Sequence, residues 1–354
     1  MRFLTIWRGG CARPSSAGLP DEAMASHNDM SGEDRLIDRF FKPLATHPGA
    51  LGLSDDAAFI TPAAGVDIVL TTDAIIGGVH FFAEDAPQAI ACKALRVNLS
   101  DLAAKGARPL GFLLSLALPK TVGEEWLAGF AEGLRGDSIL YECPLFGGDT
   151  DRTPGPVTIS VALFGTLPEG TMVRRAGAAA GDRIYVTGTI GDAALGLRLR
   201  GPDAAKWMLS EPQRRHLVSR YLLPQPRNAL AEVVRTHATA AMDISDGLAG
   251  DIAKLCRVSG VGAAIEVAKI PLSEAARAAI AADDSMLKAA LTGGDDYEIV
   301  CTVANSKTTA FRDAAKACGV PVTEIGSIMP GTVPRFETGG GKALVFEQTS
   351  FSHF

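Results

Sequence analysis

Tryptophan and tyrosine are scarce in this sequence, three and four among 354 residues, whereas glycine occurs 38 times. With so little aromatic bulk, the core has to come from aliphatic side chains and alanine-packed helices joined by many tight turns. Paired cysteines are missing too. Cys11, Cys92, Cys143, Cys256, Cys301 and Cys318 are scattered with no Cys-x-x-Cys, which excludes a disulfide frame and a thiolate zinc site and points to reduced thiols in a cytoplasmic protein. The six histidines are unpaired, so zinc is disfavoured on that side as well. There is no long basic run and the formal charge is −6, which argues against nucleic acid as a partner. The longest apolar stretch, Pro109 to Pro119, falls well short of the roughly 20 residues that cross a bilayer, so no membrane partner is expected.

What is present is a soluble globular composition, 47% hydrophobic and 21% charged, in a chain too long for one ordinary domain. Residues 1–30 read as a disordered extension: Arg8 interrupts any secretory apolar run, and Pro14 to Gly18 is small and polar. Helical periodicity begins after Ser31, with Leu36, Ile37, Phe40 and Phe41 on one face. A strand over Val66–Leu70 leads into Thr71-Thr72-Asp73, and Pro87–Gly106 reads as a helix. A strand at Gly111–Leu118, a helix at Val122–Leu134, a strand ending at Gly147-Gly148-Asp149 and an alternating strand at Val157–Leu167 follow. Pro168-Glu169-Gly170 marks a domain boundary, giving units 31–168 and 169–354 of mixed α/β (α+β) type.

Aspartates recur where these strands are expected to end: Thr72-Asp73, Gly148-Asp149, and Asp243-Ile244-Ser245-Asp246-Gly247. Asp55-Asp56, the helical Asp101 and Gly294-Asp295-Asp296 add to the set. One such motif is usually a turn or a cap. Several converging carboxylates repel one another unless a cation sits among them, and hard oxygen donors with interleaved hydroxyls suit Mg²⁺. Magnesium in turn suggests phosphates. Gly339-Gly340-Gly341-Lys342 is not a phosphate loop, because Phe336 stands at the first glycine position and Ala343 at the Ser/Thr position; it reads as a hairpin turn. Gly188-Thr189-Ile190-Gly191-Asp192 is the better candidate for presenting backbone N–H groups to an anion.

In order along the chain, Thr71-Thr72-Asp73, Gly78-Val79-His80-Phe81, Lys93-Ala94-Leu95, Asn98-Leu99-Ser100-Asp101, Gly147-Gly148-Asp149-Thr150, Arg174-Arg175-Ala176-Gly177, Asp243 to Leu248 and Gly293 to Glu298 resemble the thiamine-monophosphate kinases. These belong to a superfamily of ATP enzymes that includes aminoimidazole-ribonucleotide synthetase. The resemblance implies a homodimer paired through N-terminal sheets, with ATP in a cleft near that junction. It implies Mg²⁺ ligands at Asp56, Thr71, Thr72, Asp73, Asp101, Asp149, Asp243 and Asp246. It also implies ATP contacts at Gly148, Asp149, Arg175 and Ser245, and thiamine monophosphate contacts at His80, Asp295 and Phe351. The chain departs from the family at Ser54 (usually Gly), Lys105 (often Met) and Asp295 (commonly Glu).

The expected reaction is in-line transfer from ATP to thiamine monophosphate. The acceptor phosphate is largely ionised near neutral pH, with a second pKa of about 6, so no strong general base is needed. Another ATP enzyme of the same superfamily, or a divalent-cation-binding protein without turnover, are the alternatives.

Overall fold

The structure is a computed structural model describing residues 32–201, 207–340 and 342–351. The extension expected at residues 1–30, and the Ser31 helix cap, lie outside the described residues.

The described residues build two sheets. The N-terminal one is four-stranded, in the order β1-β4-β2-β3, from β1 (Val66–Ile76), β2 (Arg108–Leu118), β3 (Leu145–Arg152) and β4 (Thr158–Pro168). The helices α2 (Pro87–Lys105) and α3 (Glu124–Leu140) follow the short first helix, α1 (Gly32–Leu36). Val69, Ile75, Phe112, Leu114, Ile159, Val161 and Leu163 form a core with α2 and α3 residues such as Leu95, Leu99, Phe130 and Leu134. Among the described residues the opposite sheet face is only partly covered: Leu70 is 67% exposed and Leu113 37%.

The second sheet is six-stranded, in the order β10-β7-β9-β5-β8-β6. Its strands are β5 (Arg183–Thr187), β6 (Ala238–Ile244), β7 (Gly262–Glu266), β8 (Glu298–Val303), β9 (Val322–Met329) and β10 (Pro334–Glu337). Its helices are α4 (Asp192–Arg198), α5 (Glu211–Leu222), α6 (Ala231–His237), α7 (Leu248–Ser259), α8 (Glu274–Ala282), α9 (Ser285–Thr292) and α10 (Thr308–Ala317). One face packs on α7 through Leu248, Ile252 and Leu255. The other packs on Phe311, Val234 and the last turn of α2, through Ala103 and Ala104. All six residues of β8 are buried, as a central strand covered on both faces requires.

Helix α2 is thus shared by both cores. Its polar groups also cross the junction: Lys105 Nζ donates to the Ala241 carbonyl at 2.8 Å, and Leu99 O accepts from Asn228 Nδ2 at 3.2 Å.

Three expectations need correction. Asp73 and Asp149 do not sit in turns; β1 continues to Ile76 and β3 to Arg152, because neighbouring strands pair with them, Asp73 opposite Val161 and Asp149 opposite Ser115. The first helix is short and passes into a wider turn over Ile37–Phe41. The hairpin after β10 closes with a bond from Thr338 N to Lys342 O at 2.9 Å and a single bridge from Glu337 to Ala343, and no strand follows among the described residues.

Candidate active site

The period of two along β1 divides the Thr-Thr-Asp motif between the faces of the sheet. Thr71 and Asp73 lie opposite Leu163 and Val161, whose side chains are buried on the helix side; Thr72 lies opposite Ala162 on the outer side. On the helix side Thr71 Oγ1 donates to Asp101 Oδ2 at 2.5 Å, and the Asp73 N–H donates to Asn98 Oδ1 at 2.9 Å. Thr72 instead donates its hydroxyl to the Val161 carbonyl at 3.0 Å.

The second domain brings its own acids to this place from the end of β6. Asp243 is 6% exposed. Its carboxyl is held well above the ordinary carboxylate range, first by burial and then by the charges of Asp101, Asp251 and Asp73, against a hydrogen bond from Ser100. Asp73 keeps some solvent access at the rim, yet lost hydration and the charges of Asp101 and Asp246 push it up to about 6. The charges acting on Asp73 and Asp243 place Asp73, Asp101, Asp243 and Asp246 in one electrostatic neighbourhood. Asp246 is paired with Lys254. Ser245 and Asp246 hold their turn by donating their N–H groups to Asp251 Oδ2, at 3.1 and 3.0 Å. Gly247, with φ of 111°, completes the turn, and a Cβ there would meet the Thr292 backbone at 2.7 Å.

Lys105 faces the same acids. Burial lowers its pKa; Asp243 and Asp101 oppose that and Arg175 adds to it. Arg175 is exposed on a segment held against β6, where the Ala241 N–H donates to Arg174 O at 3.0 Å. The Phe351 N–H donates to Asp246 O at 3.0 Å, which lays the half-exposed Phe351 against the acidic turn.

His80 and Asp295 are linked through Lys93, in the N-terminal half of α2. His80 Nδ1 accepts the Ile76 N–H at 3.0 Å, which puts the proton of a neutral imidazole on Nε2. Asp295 Oδ2 accepts from Lys93 Nζ at 2.9 Å, and Asp295 Oδ1 accepts from the Tyr297 hydroxyl at 3.3 Å.

Asp149, Gly148 and Asp56 lie apart from this group. They line a cavity of about 590 Å³ on the outer side of the N-terminal sheet, with Asp55, Thr150, Ser115 and Leu113. Strands β1 and β3 are opposite edges, three strand spacings or about 14 Å apart. Among the described residues, no three His, Cys, Asp or Glu side chains stand close enough to hold one metal ion unaided.

The Gly188–Asp192 turn does not present its amides outward. Gly188 N–H donates to Pro321 O and Ile190 N–H to Pro271 O, while the Gly191 N–H is taken by the buried Asp296 carboxylate at 2.9 Å. The anion is the chain's own. Sequence reasoning also missed Asn98, Asp251, Lys254 and Lys93 as residues that build the site. Asp251 and Lys254 carry a local signal, an acid and a base one helical turn apart directly after an acidic turn.

A four-stranded and a six-stranded sheet, joined by α2 with carboxylates at the junction, frame a chain that matches the AIR synthase related proteins. The family model of their N-terminal domain matches residues 54–167 and that of their C-terminal domain residues 179–338. Thiamine-monophosphate kinase from Caulobacter vibrioides is 42% identical over 315 residues, 88% of each chain. The chain belongs to the thiamine-monophosphate kinase family. A crystal structure of thiamine-monophosphate kinase from Stenotrophomonas maltophilia has a TM-score of 0.77 at 36% identity, covering 88% of this chain and 96% of that one. The structure described as AaThiL complexed with AMPPCP and TMP has a TM-score of 0.72 at 31% identity, covering 85% and 91%.

Proposed function

We propose that this protein transfers the γ-phosphoryl group of ATP to the phosphate of thiamine monophosphate, giving thiamine diphosphate and ADP in the cytoplasm. The observation that carries this reading is the crowding of negative charge at the domain junction, where Asp101 and Asp246 oppose the ionisation of Asp73, and Asp101 and Asp73 that of Asp243. Two polyanions meet in this reaction, and two unit charges about 4 Å apart repel by roughly 4 kcal/mol at an effective dielectric near 20.

The donor set fits Mg²⁺: carboxylates and hydroxyls, spaced too widely to enclose an ion alone, suit a cation that keeps waters and phosphate oxygens in its shell. Asp73, Asp101, Asp243 and Asp246, with Thr71, would hold the ions on the helix side, and Asp56, Thr72 and Asp149 on the outer side. Bound there, Mg²⁺ supplies neutralisation of phosphate charge. Arg175, and backbone at Gly148, Asp149 and Ser245, contact ATP. His80 offers its Nε2–H to the acceptor phosphate, Asp295 orients the acceptor, and Phe351 packs against it. A phosphate oxygen of thiamine monophosphate attacks the γ-phosphorus, the bond to the β-bridging oxygen breaks, and no side chain needs to remove a proton.

The exposed outer face of the N-terminal unit, residues 31–168, supports a homodimer formed through it, with residues 169–354 closing each cleft. That pairing gives the outer group around Asp149 a route to the nucleotide. An ADP-release assay with thiamine monophosphate as acceptor, and thiamine as control, tests the activity: phosphorylation of thiamine in preference to its monophosphate, or metal binding without turnover, refutes it.

A further inference from the structure

Lys93 lies outside the ligand set above, yet it joins the two domains at the acceptor end of the cleft. It is 2% exposed on α2. Its Nζ donates to the His80 carbonyl at 3.0 Å and to Asp295 Oδ2 at 2.9 Å, and it stands 3.9 Å from the centroid of the Tyr221 ring. Tyr221, equally buried, donates its hydroxyl to the same His80 carbonyl at 3.0 Å. Asp295 and Tyr297 both have positive φ, 63° and 50°, uncommon for residues with a Cβ, so surrounding contacts must hold this segment in place.

A buried ammonium persists only where charge and hydrogen bonds compensate it. Here one carboxylate, one carbonyl and one aromatic face do so. The compensation is mutual. Asp295, Asp73 and Asp243 all act on the Tyr297 hydroxyl, so Asp295 borders the aspartate cluster. With Lys93 removed, Asp295 would add an uncancelled negative charge where an anionic phosphate ester has to approach. The His80 carbonyl would also lose one of the two side-chain donors that hold it.

We infer that Lys93 is a positioning residue for the acceptor substrate: by neutralising Asp295 and clamping the His80 carbonyl it sets the affinity for a phosphomonoester, without a part in the transfer step. This rests on His80 and Asp295 contacting the acceptor.

The test is steady-state kinetics of the full chain with each substrate varied in turn. Lys93→Met raises the KM for thiamine monophosphate about tenfold or more, with kcat and the KM for ATP changed by less than about threefold. In a cycle with Asp295→Asn, the double variant is no more than about twofold worse than Lys93→Met alone, because the charge that Lys93 cancels has gone. Additive losses, or a fall in kcat with both KM values unchanged, overturn the inference. Should Lys93→Met fail to fold, Tyr221→Phe decides: it keeps the ring and loses the bond to His80. A raised acceptor KM with an unchanged KM for ATP supports the clamp, and two unchanged values sink it. If His80→Ala and Asp295→Asn leave the acceptor KM untouched, the site assignment itself fails; if they raise it and Lys93→Met does not, only the role of Lys93 falls.

Discussion

The backbone N–H of Asp73 donates to Oδ1 of Asn98 at 2.9 Å, so a fully buried side chain of α2 sets the height of an acidic residue on the edge strand. Asn98 in turn donates Nδ2 to the Ala94 carbonyl at 3.0 Å. Asn98→Ala leaves the Asp73 N–H without this acceptor, which costs about 1–3 kcal/mol where that group is buried. Urea unfolding should show the loss, and magnesium should be needed at higher concentration for half-maximal rate. An unchanged urea midpoint would mean that solvent replaces Asn98.

Asp73→Asn keeps the size of the side chain and removes its charge. Turnover should fall at least a hundredfold, while the melting temperature without metal holds or rises, since repulsion from Asp101 and Asp246 is relieved. Near-normal rates in this variant would remove Asp73 from the metal set.

The raised pKa of Asp73 has a definite sign in stability. The ordinary aspartate value of 3.8 stands for the unfolded chain and about 6 for the folded one, so the folded state binds the proton more tightly. The stabilisation from this group is fully present below pH 3.8 and is lost as pH rises through about 6. Magnesium competes with the proton. Thermal melts at pH 5 and pH 7.5, with and without about 5 mM Mg²⁺, should show the larger metal-induced shift at the higher pH. An equal shift at both would refute the linkage.

Glu298 accepts from Arg220 at 2.9 Å, from Arg227 through both carboxylate oxygens, and from Thr187 at 2.5 Å, with its side chain fully buried. Glu298→Ala strands two guanidinium groups, one of them in the interior. The cost should be about 3–5 kcal/mol, read from denaturant unfolding. A change below about 1 kcal/mol would show that water fills the gap.

Leu70→Glu places a charge on the exposed face of the N-terminal sheet. Light scattering should then report a monomer, with activity lost together with the dimer. Mixing Asp149→Asn with Asp73→Asn protein should restore a fraction of the wild-type rate if each active site draws on both copies. A dimeric Leu70→Glu protein would move the interface elsewhere.

Much of the fold was legible because its signals are local. The α2 stripe of Ala91, Ala94, Leu95, Leu99 and Leu102 is buried as its spacing predicts, and alternation along β4 marks its inward residues. The acidic motifs were legible as chemistry, but their strand context was not: nothing local in Thr71-Thr72-Asp73 or Gly148-Asp149 shows that a neighbouring strand extends the pairing past them. The Gly188–Asp192 turn was misread for a similar reason. Its glycines announce a turn, whereas the partner of the Gly191 N–H, Asp296, is 105 residues away.

The amino-acid sequence by itself determined the family: the order of its motifs is similar to that of the thiamine-monophosphate kinases. Only the tertiary structure decided which acids share a space, since strand alternation sends Thr71 and Asp73 to one face and Thr72 to the other, while α2 carries Asp101 to the end of β6. Charge repulsion acts through space, and its reach of a few ångströms is set by packing between segments more than a hundred residues apart.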